Sequence, residues 1–225
     1  MLPKALSSAL IASLIGSSLL TGCAGQTLTS TWTAPEVWSL NPRGKTIAVA
    51  LVSPNESTRR DGENALAEDL SARNAHGVVG YTLLPNERLA KGEAALAELK
   101  QAGVNGVVVM RVVGKHESIR LYGSGLYGPG YVLPASYSGF ARYWDYGWGS
   151  LHEPRDLQSN APLEVETLVY SLDQGGKAVW ASNSRSIDPR DLDTLIREVA
   201  AEIAREMFSS PPSPFFAYEP EDVMR

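Results

Sequence analysis

Apolar residues recur along the chain with two different periods. Thr46 to Val52 is an unbroken apolar run of strand length, the pattern of a strand buried on both faces in a parallel sheet. Ser53-Pro54-Asn55-Glu56 reads as a turn. Thr58, with Asp61 three residues later, reads as a capping box that opens a helix running to about Asn74, with Ala65, Leu66 and Leu70 toward the core. Val78 to Leu84 predicts a second strand. Gly92 to Gln101 predicts a second helix, with Ala95, Leu96, Leu99 and Ala102 at helical spacing and Gly103 as its stop. Val104 to Val113 predicts a third strand, with a continuation toward Leu121 left open. Strand, helix, strand, helix, strand with short joins implies right-handed crossovers and a parallel core.

The second half alternates instead. In Pro162 to Leu172, Leu163, Val165 and Val169 share one face, and Glu164 and Glu166 lie opposite. Asp173-Gln174-Gly175-Gly176 is a turn and Ala178 to Ser184 returns as a strand, so a hairpin is expected. Asp188-Pro189 then opens a third helix whose stripe is Leu192, Leu195, Ile196, Val199, Ile203 and Met207. The tail from Ser209 carries Pro211, Pro212, Pro214 and Pro220 and excludes regular helix. The fold class expected is α/β: a mixed sheet in two or three layers, ordered β-α-β-α-β, long insert, β-hairpin, α, with the helices packed on the sheet. The single domain spans residues 45–208.

The insert, residues 122–161, shows neither period. Six of the nine tyrosines, Trp144, Trp148, Phe140 and seven glycines fall within 122–149, against the charges of Arg142 and Asp145 alone. A loop of this length inside a compact domain is functional or disordered, and disordered chains are poor in aromatics. Rigid amphipathic rings spaced by glycine suit a gripping surface. Tyr127, Tyr131, Tyr137, Tyr143, Trp144, Tyr146 and Trp148 are therefore candidates for binding a protein partner or a second copy. Two alternatives stay open: the insert folds back over its own sheet, or it meets lipid headgroups or glycan. A transmembrane hairpin lacks the required alternation.

Composition is that of a globular protein, 44% hydrophobic and 20% charged. The net charge of −5 without a basic run argues against a nucleic-acid partner. A single cysteine excludes an intrachain disulfide and a Cys-rich metal site. That cysteine ends a distinctive segment. Lys4 precedes an uncharged stretch from Ala5 to Leu20, too short for a membrane span and right for the core of a secretory signal. Leu20-Thr21-Gly22-Cys23 follows, and it resembles the bacterial lipobox. The resemblance implies cleavage after residue 22, a diacylglycerol on the Cys23 thiol and acylation of the new amino terminus. Several chains hold a protein at a membrane where one does not. Ala24, in place of the aspartate that retains enterobacterial lipoproteins at the inner membrane, implies the outer membrane. Residues 23–44 then read as a lipidated extended arm, with Trp32 and Trp38 either at the membrane interface or pinning the arm to the domain.

The lipobox, an early tryptophan, the buried strand, a helix opening with Arg59, Arg60 and Glu63, and the hairpin Asp173…Gly176…Trp180 together resemble small Gram-negative outer-membrane lipoproteins of unknown function. Their α/β domain is similar to that of the lipoprotein activators of penicillin-binding proteins and of the curli secretion channel. The resemblance implies a fold and a compartment and transfers no catalytic residue.

Candidate chemistry is sparse. Gly123, Gly125 and Gly128 spell a dinucleotide fingerprint, but Pro129 and Gly130 follow where a helix must start. His116-Glu117 and His152-Glu153 do not continue to a second histidine four residues on, and His76 stands alone, so no zincin helix and no metal site is expected. No nucleophile elbow is present, and lipid consumes the thiol. Ser57, Thr58, Arg59 and Arg60 sit at the carboxyl end of the first strand, where open sheets bind ligands and helix amino ends attract anions; they form a weak anion site or merely a cap with two solvated arginines. The expectation is a lipid-anchored binding or scaffolding protein, not an enzyme, without cofactor, facing the periplasm from the outer membrane. Regulation of peptidoglycan synthesis, an export-assembly subunit and an envelope hydrolase are the alternatives.

Overall fold

The computed structural model describes residues 28–34, 42–84, 91–113, 122–123, 131–151, 164–185 and 192–209. Its strands are β1 (Leu28–Thr33), β2 (Thr46–Val52), β3 (His76–Val79), β4 (Gly106–Val113), β5 (Tyr122–Gly123), β6 (Tyr131–Val132), β7 (Glu164–Ser171) and β8 (Lys177–Arg185). Its helices are α1 (Glu56–Ser71), the single turn α2 (Gly80–Leu83), α3 (Gly92–Gln101), α4 (Phe140–Gly149) and α5 (Leu192–Phe208), with a 3-10 turn at Ala135–Tyr137. Six strands form one mixed sheet in the order β1-β8-β7-β4-β2-β3, and β5 and β6 form a separate two-stranded ribbon. β2 runs parallel to β3 and β4; β7, β8 and β1 continue the sheet antiparallel.

The expected α/β class and mixed sheet are present, in three layers. α1 and α5 cover one face, packing Leu66, Leu70, Ile196, Val199 and Ile203 on Val49, Leu51, Val108 and Met110. α3 and α4 cover the other, with Ala95, Leu99, Phe140, Tyr143 and Trp144 on Ala50, Val107, Val109, Leu168 and Tyr170. Both faces are dry, so β2 and β4 read as continuous apolar runs. The α5 stripe is buried as its periodicity requires, with Ile196 and Ile203 inaccessible. Among the described residues no helix is long and apolar enough to cross a membrane.

Four local expectations need correction. α1 opens at Glu56, not at Thr58: the Asn55 side chain accepts from Thr58 N at 3.1 Å, so Asn55 is the N-cap and Thr58 the third helical residue. The second strand is His76–Val79 and the chain turns helical at Gly80. Gly80 lies so close to β2 that a Cβ would stand 2.7 Å from the Val49 carbonyl oxygen, and the Glu63 carboxylate takes Tyr81 N at 2.9 Å. Tertiary contacts thus override the β preference of that run. The arm before residue 45 is in part a strand, since β1 pairs with β8 from Leu28↔Ser184 to Thr33↔Trp180. Trp32 is half-buried on the α3/α4 side and pins it there; Trp38 lies outside the described residues. Finally, the insert contains α4, which lies against the sheet.

Candidate functional site

The largest group of buried polar side chains sits where β4 and β7 approach the carboxyl end of the parallel strands. Arg111 and Glu166 are directly opposed across the β4–β7 ladder, and both point to the α4 side, the side of Val109 and Leu168. They are 2% and 0% exposed. Arg111 Nε donates to Glu166 Oε1 at 3.1 Å. Charge taken out of water is costly unless it is paired and fully hydrogen-bonded, and α4 supplies further partners. Tyr143 Oη donates to the same Glu166 oxygen at 2.6 Å. Arg111 Nη1 donates to Ser150 Oγ, just past α4, at 2.8 Å. The guanidinium also lies over the Tyr146 ring, 4.9 Å from its centroid.

The electrostatics agree with a closed group. Burial would lower Arg111, but the Glu166 charge and hydrogen bond, together with Tyr143 and Tyr146, more than offset it and hold the guanidinium protonated. Burial first, and Glu166 second, push the Tyr143 phenol well above its usual range. Tyr143 therefore stays a hydrogen-bond donor at any physiological pH. With two donors on Oε1, Glu166 ties α4 to the sheet.

A second buried carboxyl, Glu63, lies on the opposite face. β2 and β3 pair only as far as Val49↔Val79. Beyond that point Leu51 N has lost its strand neighbour, and Glu63 Oε1 accepts from it at 3.1 Å while Oε2 accepts from Tyr81 N. Burial raises the Glu63 carboxyl to about 7, against the pull of those N–H groups and of Arg59. This is the β3 side of β2; the topological switch point of the sheet lies on the other side, between the carboxyl ends of β2 and β4. Ligands of open α/β folds bind outside such a point.

The expected anion site is at that same end but is internally engaged. Thr58 N is held by Asn55. Arg60 pairs with Glu56 at 2.8 Å and stacks on Tyr81. Arg59 is 9% exposed and lies 4.0 Å from Glu56. Ser57 is exposed. The reading as a cap with arginines therefore describes the local geometry better than a preformed anion cradle.

The aromatic candidates divide. Tyr137, Tyr143 and Trp144 are buried, which corrects their assignment to a partner-binding surface: their area is used inside the domain. Tyr146 is 38% exposed and Trp148 half-buried. Tyr137 packs tilted on Tyr143 and edge-on against Tyr146, and Trp144 edge-on against Trp148. Tyr127 and the Tyr131 side chain lie outside the described residues, as do Cys23, His116, His152, Gly125 and Gly128. His76 is exposed on β3. Among the described residues no three His, Cys, Asp or Glu side chains stand together as a metal site.

Sequence reasoning missed Arg111 and Glu166: alternation places Glu164 and Glu166 on the face opposite Val165 and Val169 but does not reveal that this face of β7 is buried as well. An arginine within the apolar run Val107–Val113 was the signal: it needs a buried anion on a neighbouring strand.

No protein-family model matches the chain, and no curated protein sequence does. Among solved structures it is similar to a substituted PelC dodecamer from Paraburkholderia phytofirmans, at 11% identity and TM-score 0.42, covering 79% of this chain and 96% of that one. A second PelC dodecamer from the same organism matches at 13% identity and TM-score 0.41, covering 82% of this chain and 97% of that one. A likeness of that grade assigns no residue a role.

Proposed function

We propose that the chain is a lipid-anchored binding or scaffolding lipoprotein of the outer membrane, facing the periplasm and without catalysis of its own. The lipobox Leu20-Thr21-Gly22-Cys23 carries this reading, because the cysteine it would acylate stands five residues before the first strand of the domain. A domain so tethered works at the membrane or not at all. A binding role is supported over a catalytic one by the state of the buried polar groups. Arg111, Glu166 and Tyr143 are engaged with one another, and the Glu63 oxygens with backbone N–H groups. None presents an unengaged acid or base to a cleft. Contact with other envelope components then falls to the exposed rim of α4 around Tyr146, rather than to the whole aromatic insert.

Membrane fractionation tests the anchor. The wild-type chain is expected to sediment with outer membrane, and Cys23→Ser to appear in the soluble periplasmic fraction. A Cys23→Ser chain that is processed normally and still sediments with outer membrane contradicts the reading.

A further inference from the structure

We infer that Glu63 is a proton-controlled latch on α2: with the carboxyl protonated, α2 stays closed across the end of β2, and with the carboxyl ionised, α2 opens more often. The inference concerns the domain alone and does not depend on the lipid anchor.

α2 is held at few points, and Glu63 is central to them. Gly80 brings the chain against β2, where a Cβ would stand 2.7 Å from the Val49 carbonyl oxygen. Tyr81 then meets α1 in three ways. Its N–H donates to Glu63 Oε2 at 2.9 Å, its hydroxyl donates to Asn64 Oδ1 at 2.9 Å, and the Arg60 guanidinium lies 4.7 Å from its ring centroid. Of these contacts only the first uses a carboxyl. The other Glu63 oxygen accepts from Leu51 N at 3.1 Å, so one side chain joins α1, α2 and β2. Past Tyr81 the chain crosses to the other face of the sheet. There Leu84 is buried in the apolar cluster that holds Val52, Ala95 and Trp144. Opening of α2 therefore loosens the α3/α4 layer as well.

The surroundings make this latch titrate. Glu63 is 0% exposed. β2 contributes apolar side chains from Ile47 to Val52, and α2 contributes Tyr81. α5 presents Ile196 to the neighbouring Gly62, while its Arg197 and Glu198 are exposed. His76 is exposed at the far end of β3. On α1, Glu56, Asp61 and Glu68 are exposed, and Arg60 pairs with Glu56. Among the described residues no cation stands within ion-pair reach of Glu63; Arg59, one turn earlier, acts from farther off. Burying a carboxylate without a counter-ion costs more than two backbone N–H groups return. Burial accordingly raises the group to about 7, against the pull of those bonds and of Arg59. Once α2 opens, water reaches the carboxyl and its proton affinity returns toward the ordinary 4.5. The closed state thus binds the proton more tightly than the open one. Its advantage is complete below pH 4.5 and is lost as pH rises to 7, with the open population growing about tenfold per pH unit in between.

Amide hydrogen exchange at Tyr81 in the full chain reads that population, because the latch itself protects this N–H. Where reclosing outruns exchange, base catalysis alone gives a logarithmic rate that climbs by about one per pH unit. Tyr81 is expected to climb by about two per unit between pH 5 and pH 7, the extra unit coming from the latch. Ala102, whose N–H donates to Glu98 O at the end of α3, is the control and should climb by about one. In Glu63→Gln, Tyr81 should climb by about one as well; if that variant does not fold, the two wild-type slopes decide alone. A wild-type Tyr81 slope of about one overturns the inference, and so does a slope of about two that persists in Glu63→Gln. A Tyr81 amide that exchanges no faster than Val108, at the centre of the sheet, at every pH also overturns it, because α2 then opens only with the whole domain.

Discussion

Glu166 holds Arg111 Nε and Tyr143 Oη on one buried oxygen, so either partner's removal leaves a charge or a phenol unmatched in a dry layer. Arg111→Met is expected to cost about 3–5 kcal/mol, the usual cost of orphaning a buried charge. Adding Glu166→Leu to it should recover most of that loss, because both charges are then gone. Urea unfolding of the two variants checks this; a double variant as unstable as the single one would mean that the pair itself, not its completeness, stabilises the fold. Glu63 behaves differently. Its carboxyl rises from an ordinary 4.5 to about 7 in the fold. A folded value above the unfolded one means that the protonated acid is favoured by folding. Its contribution is therefore complete below pH 4.5 and is lost as pH rises through 7. That gap corresponds to about 3 kcal/mol. Relative to Glu63→Gln, the wild-type chain should lose stability by an amount of that order between pH 4 and pH 8. Parallel stability–pH curves for the two would contradict it.

At the scale of elements, α5 and α1 meet through Gly62. A Cβ there would stand 2.7 Å from Ile196 Cγ2 and 2.8 Å from Leu51 Cδ2. Gly62→Ala is expected to cost about 1–3 kcal/mol through overpacking, despite the better helix propensity of alanine. Ile196→Ala alone should cost about 2–5 kcal/mol. Combined, the two should cost clearly less than their sum, since the new methyl fills space the isoleucine leaves; simple additivity in thermal melts would show that the helices do not touch there. α4 is the element whose role changed most. Trp144→Ala is expected to cost about 3–5 kcal/mol, whereas an insert that served only to grip a partner would leave the melting temperature unchanged. The reasons are legible in retrospect. α5, α3 and the β7–β8 hairpin were visible because their apolar spacing and turn residues agree with their packing. Phe140, Tyr143, Trp144, Gly147 and Trp148 also follow helical spacing, but aromatic residues and glycine are poor helix formers, and a glycine occupies one buried position. Space does not demand that glycine: a Gly147 Cβ would stand 3.6 Å from Val52 and 3.8 Å from Arg111, ordinary van der Waals contact. β3 was misjudged because Glu63, eighteen residues away, captures Tyr81 N, and no local signal encodes that contact. The Arg111–Glu166 pair needed the register of two strands fifty-five residues apart.

For the whole molecule, the three layers close both faces of the sheet. What the domain offers other components then comes down to its ends, its edges and the rim of α4. In the proposed reading the anchor selects among these, since it fixes which parts of the surface face lipid and which face the periplasm. Everything at this scale depends on Cys23 being the amino-terminal residue of the mature chain and carrying lipid. The intact mass of the protein purified from its own envelope, with fragmentation of its amino-terminal peptide, measures that directly. The expected result is a chain beginning at Cys23, with a diacylglyceryl group on sulfur and a further acyl group on the amino nitrogen. A chain that begins elsewhere, or a Cys23 with a free thiol, would contradict it.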